Sequence, residues 1–398
     1  MLTGGSYVQY ASIWNVTHTT LSPANPDFPH TMTASVLVET GRVETETRPV
    51  PTPGPGDVLV EIAAVGVCGS DAHYYRHGRI GDHVVTAPMV LGHEASGRIV
   101  AVGQGISESR IGERVSIEPQ RPDPNSAESR RGDYHLCPHM EFYATPPIDG
   151  ALAQYATIGA AFAHPVPDSV TDVAAALFEP LSVGIASIRK SGVTVGGSVL
   201  IAGAGPIGLV CAQVARAHGA TRIVVSDIDP ARLDTATRFG ATTTVGPDEV
   251  ADLEPVDAFV DASGAPSAII AGIGAVRPAG RVVLVGMGAS DLTIPVSIVQ
   301  NRELVLTGVF RYANTWPTAT ALVTAGLVDL DAMVTGRFAL DEVADALDAD
   351  RVAGSIKAVV FPQRLAREGA MTEDGTTAQR ASDQQTSGHG ERNEEMAS

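Results

Sequence analysis

The stretch Val199-Leu200-Ile201-Ala202-Gly203-Ala204-Gly205-Pro206-Ile207-Gly208 decides the fold of the second half of this chain. Four apolar residues predict a buried strand, and Gly203 then opens a turn with the spacing G-x-G-x-x-G. Residues 207–218 predict a helix that ends at Gly219. A glycine turn between a strand and a helix places backbone N–H groups where they can cradle phosphate. This context favours a dinucleotide site over a turn without a ligand.

Each glycine of the turn has its own predicted role. Gly203 permits the tight turn, Gly205 lets the backbone approach a pyrophosphate, and Gly208 lets the helix pack on the strand. Asp227 follows Gly208 by 19 residues and ends the next predicted strand, where a carboxylate accepts hydrogen bonds from ribose hydroxyls. Because that carboxylate would repel a 2′-phosphate, we expect NAD rather than NADP, although Arg232 nearby would favour NADP.

Further along the chain, apolar strands alternate with helices, which indicates a parallel, doubly wound sheet. The predicted strands cover residues 222–227, 258–262, 281–286 and 304–310. We also assign to cofactor binding one residue of the turn and the residues at the ends of two later strands: Ile207, Val285, Gly286, Met287, Val309, Phe310 and Arg311.

Composition sets the broad class of the protein. The chain has 398 residues, 44% of them hydrophobic and 18% charged, with 41 glycines, which predicts two α/β-type domains with separate cores. A net charge of −18 disfavours nucleic acid and anionic membranes as partners. Three cysteines give no disulfide framework and favour the cytoplasm. No apolar run reaches the roughly 18 residues that a membrane span requires.

The pattern of predicted strands and turns in the first half of the chain differs from that in the second half. From residue 34 to about residue 183, short strands alternate with glycine and proline turns, which predicts a β-rich domain. We divide the chain into a disordered extension (1–31), a β-rich catalytic domain (32–183), a nucleotide-binding domain (184–315), a return segment (316–362) and a disordered tail (363–398). Either Met1 or Met32 is the initiator.

The first half also offers a set of metal ligands. Cys68 and His93 lie in glycine-bounded turns just after predicted strands, and Glu94 follows His93 directly. Glu179 stands in an apolar stretch, where a lone carboxylate is costly without a partner. A thiolate, an imidazole and a carboxylate suit a zinc ion that keeps one position open for substrate. Whether Glu94 or Glu179 is the third direct ligand stays open.

These residues lie in motifs that resemble the zinc-dependent medium-chain dehydrogenases, and within them the sorbitol (polyol) dehydrogenase branch. The resemblance extends over residues 34–362. Gly92-His93-Glu94, followed by Gly97, Gly103 and Ile106, matches the family's zinc signature. The polyol branch is indicated by residues 68–74 (CGSDAHY), 144–147 (ATPP), 178–184 (FEPLSVG) and 310–317 (FRYANTWP).

The resemblance implies a GroES-like catalytic domain and a Rossmann domain, assembled as a homotetramer or homodimer. It implies that Cys68, His93 and Glu94 hold zinc and that Glu179 lies beside the metal-bound water or the substrate. It places three side chains against the other hydroxyls of a polyol: Tyr74, Arg311 and Tyr312.

One departure from the family concerns a second, structural zinc, which many relatives hold on four cysteines. Here the corresponding lobe, residues 118–137, keeps only Cys137, and Asp123, Ser126 and Ser129 stand where cysteines would be. One thiolate with two hydroxyls and a carboxylate is a poor zinc site. We therefore expect a single zinc per chain.

The predicted activity is hydride transfer from a secondary hydroxyl of a polyol such as sorbitol or xylitol to NAD, giving a ketose. Zinc lowers the pKa of the substrate hydroxyl, and Ser70 with Glu179 passes the released proton outward. Three alternatives stay open. They are a zinc dehydrogenase for another secondary alcohol, of the butanediol or threonine type, a zinc-free quinone reductase, and a non-catalytic NAD-binding protein.

Overall fold

Two large sheets organise the chain, one mixed and one parallel. The computed structural model describes residues 28–288 and 291–365. Every element given below lies from Thr31 onward. The segments predicted to be disordered, 1–31 and 363–398, therefore fall almost wholly outside the described residues.

The elements are numbered in chain order. The strands are β1 Thr31–Glu39, β2 Arg42–Pro49, β3 Asp57–Gly66, β4 Arg79–Ile80, β5 His83–Val84, β6 Met89–Val90, β7 Glu94–Val102, β8 Arg114–Ile117, β9 Gln120–Arg121, β10 Glu141–Phe142, β11 Tyr155–Gly159, β12 Ala163–Pro165, β13 Ser198–Ala202, β14 Arg222–Ser226, β15 Thr243–Val245, β16 Val256–Asp261, β17 Val276–Leu284, β18 Val305–Gly308, β19 Val334–Ala339 and β20 Lys357–Phe361. The helices are α1 Gly69–His77, α2 Ala127–Arg131, α3 Asp172–Ala176, α4 Phe178–Ser191, α5 Pro206–Ala217, α6 Pro230–Arg238, α7 Pro266–Ala275, α8 Val296–Asn301, α9 Trp316–Thr324 and α10 Val343–Asp348.

The mixed sheet forms the core of the first half. Its strand order is β12-β8-β7-β3-β20-β19, and β11 also pairs with β3. In register, Gly66 of β3 lies opposite Glu94 of β7 on one side and Val359 of β20 on the other. The C-terminal end of β3 therefore lies beside the N-terminal ends of β7 and β20, at one end of the strands of this sheet.

The second sheet is parallel throughout, in the order β15-β14-β13-β16-β17-β18. This order reverses between β13 and β16, and ligands of such sheets bind in the crevice beyond that point. The glycine turn leaves β13 there. Gly203 has a φ of +97°, and a Cβ on Gly208 would collide with the carbonyl oxygen of Gly203. The predicted fold class, a β-rich domain with a doubly wound parallel-sheet domain, is confirmed.

Helix α4 carries the chain from one half to the other. It packs on α5 and α9 and also contacts β7 of the mixed sheet. The boundary that we place between residues 183 and 184 falls inside this helix. Strands β19 and β20 rejoin the mixed sheet, whereas α9 packs on α4. The division into five segments stays a prediction.

Two elements differ from the sequence pattern. The strand expected over residues 304–310 is shorter, since β18 ends at Gly308 and Phe310 turns outward with 68% of its surface exposed. The region around Cys68 is not only a turn but the start of helix α1. Gly69 and Ser70 have low helix propensity, but Asp71 caps this helix by accepting a hydrogen bond from the Cys68 N–H.

Candidate active site and metal centre

Three predicted metal ligands come together where β3, β7 and α1 meet. The ligand atoms of Cys68, His93 and Glu94 all lie within 4.8 Å of one another. Cys68 is the N-cap of α1, His93 directly precedes β7, and Glu94 is the first residue of β7. In the part of the chain that the structure describes, no other group of three His, Cys, Asp or Glu side chains is gathered in this way.

Asp71 fixes the two turns that carry these ligands. Its Oδ2 accepts a hydrogen bond from the Cys68 N–H (3.0 Å), and its Oδ1 accepts one from the Gly92 N–H (3.0 Å). Oδ1 also lies 3.6 Å from Nδ1 of His93, which leaves Nε2 of that ring free for a metal. Burial opposes an imidazolium here, but the negative charges of Asp71 and Cys68 outweigh it and raise the pKa of His93. The cluster thus attracts positive charge, and a bound cation would displace that proton.

Glu94 is held from one side only. Its Oε1 pairs with Nζ of Lys357 at 2.5 Å, and both side chains are buried. Its Oε2 is buried and has no hydrogen-bond partner among the described residues. A Cβ on Gly66 would collide with this oxygen, so glycine makes the space that Glu94 occupies. An orphaned carboxylate oxygen beside a thiol and an imidazole fits a zinc ion.

Glu179 lies on the other side of the cluster, in the first turn of α4. Its Oε1 accepts a hydrogen bond from the Tyr312 hydroxyl at 2.7 Å. Burial raises the pKa of Glu179. Burial and the charge of Glu179 together raise the pKa of Tyr312, so that phenol stays a neutral donor. Tyr312 therefore lies behind Glu179 and is not among the residues that line the cleft. Contact between Tyr312 and a substrate hydroxyl stays a prediction.

Arg311, unlike Glu179, has no hydrogen-bond partner for its side chain among the described residues. Its guanidinium lies 4.0 Å from the ring centroid of Phe142 and 4.6 Å from that of Phe310. Burial lowers the pKa of this group. Neither Arg311 nor Tyr74 donates a side-chain hydrogen bond to another residue in the two described ranges, and both line the cleft. A partly buried guanidinium held between two rings can therefore bind oxygens of a ligand.

A cleft of about 440 Å³ runs from the metal cluster to the glycine turn. Its wall includes most of the predicted site residues: Cys68, Ser70, Tyr74, His93, Glu94, Glu179, Gly205, Ile207, Arg232, Val285, Gly286, Met287, Val309, Phe310 and Arg311. Gly203, Gly208, Asp227 and Tyr312 lie behind that wall. The two glycines shape the turn, whereas Asp227 braces it.

Asp227 holds the glycine turn against the end of β14. One carboxylate oxygen accepts a hydrogen bond from the Ala204 N–H at 2.7 Å, and the other accepts one from the Asp229 N–H at 2.9 Å. A carboxylate has about four lone-pair positions, so both oxygens can still accept from a ribose. Arg232 lies across this end of the cleft, with Nε 3.9 Å from an oxygen of Asp229.

The lobe that would hold a structural zinc is closed by hydrogen bonds. The Asp123 N–H donates to Sγ of Cys137 at 3.3 Å, and the hydroxyls of Ser126 and Ser129 are 2.9 Å apart. Burial opposes ionisation of Cys137, but hydrogen bonds from Ser126 and from nearby backbone N–H groups lower the pKa of the thiol. These four residues are therefore neighbours joined by hydrogen bonds. They do not provide four metal ligands.

Comparison with known proteins connects both halves to one family. Residues 54–168 match the alcohol dehydrogenase GroES-like domain, and residues 206–325 match the zinc-binding dehydrogenase domain. A sorbitol dehydrogenase from Gallus gallus is 42% identical over 335 residues, which cover 81% of this chain and 94% of that protein. The chain belongs to the zinc-dependent medium-chain dehydrogenases, in their sorbitol dehydrogenase branch.

Solved structures agree with this assignment. This dehydrogenase superposes on a short chain alcohol dehydrogenase from E. coli CFT073 complexed with NADH, with a TM-score of 0.79 and 26% identity, covering 84% of this chain and 100% of that one. A protein from Sinorhizobium meliloti bound to NADP gives a TM-score of 0.78 at 28% identity, with coverage of 83% and 99%. None of the helices described for this dehydrogenase is long and apolar enough to span a membrane.

Three residues of the site were missed in the sequence. Asp71 has no role of its own in the sequence analysis, where it is only part of a motif. Its position three residues after Cys68 is nevertheless a capping signal. Lys357 is one of two lysines in the chain and stands at the start of an apolar strand, which is an unusual place for an unpaired charge. Phe142 gives no sequence signal, since any apolar residue fits its strand.

The contacts of Asp71 predict a specific loss of metal affinity. Asp71→Asn replaces one acceptor oxygen by an NH₂ group that faces a backbone N–H, so we expect zinc affinity to fall about 10- to 100-fold. Competition with a chelator measures this. Asp257→Asn is the matched control, because Asp257 also accepts from a backbone N–H but lies far from the cluster. Equal zinc affinities of the two variants would contradict the role of Asp71.

Proposed function

We propose that this protein oxidises a secondary hydroxyl of a polyol to a ketone, with zinc held by Cys68, His93 and Glu94 and with NAD as the hydride acceptor. The observation that carries the polyol assignment is Arg311, whose donors face the cleft without an acceptor in the described chain. A simple alcohol has one hydroxyl and gives such a group nothing to bind. The sorbitol dehydrogenases related to this chain support the same substrate class.

Each residue of the site has its own proposed role. When bound, zinc acts as a Lewis acid that makes the substrate hydroxyl more acidic. Asp71 and Lys357 hold two of its ligands in place, while Glu179, fixed by Tyr312, faces the same space. Ser70 lies on the cleft wall in the first turn of α1 and offers a hydroxyl for passing the proton outward. Arg311 and Tyr74 hold the substrate hydroxyls that remain.

The cofactor is proposed to lie along the other end of the cleft. NAD supplies a nicotinamide ring that accepts hydride. The N-terminus of α5 and the backbone at Gly205 face the position of the pyrophosphate, because no atom lies within 4 Å of a Cβ built on Gly205. Asp227 would accept from the ribose and disfavour a 2′-phosphate. Assembly as a tetramer or dimer stays a prediction from the resemblance, and a cytoplasmic location stays a prediction from the three cysteines.

Metal content tests the centre of this proposal. Because the lobe lacks three of four cysteines, purified protein should hold about one zinc per chain, and Cys68→Ser should hold close to none and oxidise no alcohol. Cys137→Ser is the control and should keep its zinc. Elemental analysis showing two zinc ions per chain would contradict the lobe argument, and none after metal-replete purification would contradict the function.

Substrate recognition is tested at Arg311. Arg311→Ala should lower kcat/KM for sorbitol or xylitol about tenfold or more, since a hydrogen bond to a charged donor contributes roughly 1.5–3 kcal/mol. With 2-propanol, which has no further hydroxyl, the loss should be small. Arg337→Ala, which removes an exposed arginine packed on a ring outside the cleft, is the control. An equal loss on both alcohols would mean that Arg311 serves the cofactor or the fold. A parent enzyme inactive on polyols would favour the butanediol or threonine type.

Cofactor choice is tested at Asp227. Asp227→Ala removes the ribose acceptor and the repulsion of a 2′-phosphate, so NAD binding should weaken and the gap to NADP should narrow. Fluorescence titration with NADH and NADPH measures both affinities. Asp229→Ala, at the neighbouring helix N-cap, is the control for damage to the turn. A parent protein that already prefers NADPH would contradict the proposed role of Asp227.

A further inference from the structure

A buried carboxylate outside the cleft has no part in the chemistry above. Glu118 follows β8 and is 2% exposed. Its Oε1 accepts hydrogen bonds from the Tyr134 hydroxyl (2.7 Å) and from Nε2 of Gln120 (3.0 Å), and its Oε2 lies 2.8 Å from Nε2 of His164. A carboxylate is buried at this depth only when donors surround it. We call these four side chains the Glu118 cluster.

Two residues of the Glu118 cluster, Gln120 and Tyr134, form hydrogen bonds with the same loop of the other domain. This loop, residues 309–315, connects β18 to α9. Nε2 of Gln120 donates a second hydrogen bond, to the carbonyl oxygen of Tyr312 (3.1 Å). The Tyr134 hydroxyl accepts one from the backbone N–H of Asn314 (2.8 Å). Glu118 is the shared acceptor that orients both groups, so it determines where the loop backbone lies.

The third partner of Glu118, His164, contacts the residue that follows the loop. The ring of His164 stacks on Trp316, with centroids 5.3 Å apart and planes 22° apart. The indole N–H of Trp316 donates to Oγ of Ser116 at 2.8 Å, and its ring packs against Tyr312. The loop is thus fixed at Tyr312 and Asn314, and Trp316 is held directly after it. Each of these three residues is contacted by a partner of Glu118.

The loop carries the groups that meet the substrate. Arg311 lines the cleft, and Tyr312 holds Glu179 through its hydroxyl. A shift of 1 Å in a positioned group is enough to weaken recognition strongly. Glu118 itself does not line the cleft, so any effect on the substrate passes through the residues that it contacts.

We propose that Glu118 is a positioning residue that sets the specificity of the enzyme for polyols. Through Gln120, Tyr134 and His164 it fixes the 309–315 loop, and thereby the place of the Arg311 guanidinium in the cleft. The inference rests on the proposed function, because it assigns to Arg311 the recognition of hydroxyls that zinc does not contact.

The test compares Glu118→Gln with the parent enzyme, both as full-length, zinc-loaded protein. Glutamine keeps the size of the side chain but removes the negative charge and replaces one acceptor oxygen by an NH₂ group, which weakens the hydrogen bonds of the cluster. We expect KM for sorbitol or xylitol to rise about tenfold, with kcat changed less than KM and with a smaller loss of kcat/KM for 2-propanol than for the polyols. Tyr134→Phe, which keeps the carboxylate and removes one grip on the loop, should show a smaller effect in the same direction.

Tyr155→Phe is the matched control. Tyr155 also donates its hydroxyl to a glutamate, Glu61, at 3.2 Å in the same domain, but it does not line the cleft. Its removal should leave KM for polyols unchanged. An equal rise of KM for polyols and 2-propanol in Glu118→Gln would overturn the proposal and indicate a general structural role.

Trp316 supplies a second readout that does not depend on activity. The chain has two tryptophans, so Trp14→Phe leaves Trp316 as the single reporter. In that background Glu118→Gln should shift the emission of Trp316 to longer wavelength and increase its quenching by acrylamide, and Tyr155→Phe should not. Unchanged emission and quenching would overturn the positioning role.

The two readouts separate the two hypotheses. A parent that oxidises no polyol would contradict the proposed function, and the emission of Trp316 would still decide whether Glu118 positions the loop. If Glu118→Gln does not fold, Tyr134→Phe carries the same comparison, because it leaves the buried carboxylate and two of its partners in place.

Discussion

The carboxylate of Asp71 joins the two turns on which the metal centre depends. Cys68 and His93 come from different turns, and neither turn has regular backbone pairing at the ligand itself. Asp71 accepts from the backbone on both sides and faces the ring of His93. Without it, the buried N–H of Gly92 and the partly buried N–H of Cys68 would lose their acceptor, at a cost of about 1–3 kcal/mol for the buried group. Asp71 therefore connects the start of α1 to the turn that precedes β7.

The second constraint is charge. Glu94, Glu179 and Lys357 are buried, and Cys68 lines the same cleft beside them. The ammonium group of Lys357 contacts Glu94. Burial opposes the ammonium ion, but the charges of Glu94 and Cys68 outweigh it and raise the pKa of Lys357. Lys357 contacts only one oxygen of Glu94, and Glu94 Oε2 has no partner in the described chain. A divalent cation would give this oxygen a partner and would join it to Cys68 and His93.

Local patterns allowed much of this to be predicted from the sequence. The strand and helix around the glycine turn follow from periodicity and from Gly203 and Gly208, whose backbone positions admit no side chain. Cys68, His93 and Glu94 could be proposed because they occur in combination, in turns that follow predicted strands and in a chain that also carries the glycine turn. What could not be predicted depends on long-range contacts. Lys357 and Glu94 are separated by 263 residues in the chain, and no local signal pairs them.

The position of Tyr312 shows the same limit. The motif that contains Arg311 and Tyr312 predicts two neighbours with one task, whereas the structure turns one toward the cleft and the other toward Glu179. Adjacent residues in a loop have no fixed period, so their directions are set by the packing of Trp316 and by the Glu118 cluster. The sequence motif therefore gives no information on which of the two side chains faces the cleft.

The central claim is that a polyol reaches a metal held by Cys68, His93 and Glu94. Replacing zinc by Co²⁺ makes this directly visible, because a cobalt–thiolate site absorbs in the visible and near-ultraviolet regions and responds to changes in its ligands. Titration with sorbitol or xylitol in the presence of NADH should change the cobalt spectrum saturably, and Cys68→Ser should lack the thiolate band. A cobalt spectrum with a thiolate band that no polyol changes at saturating concentration would contradict the account.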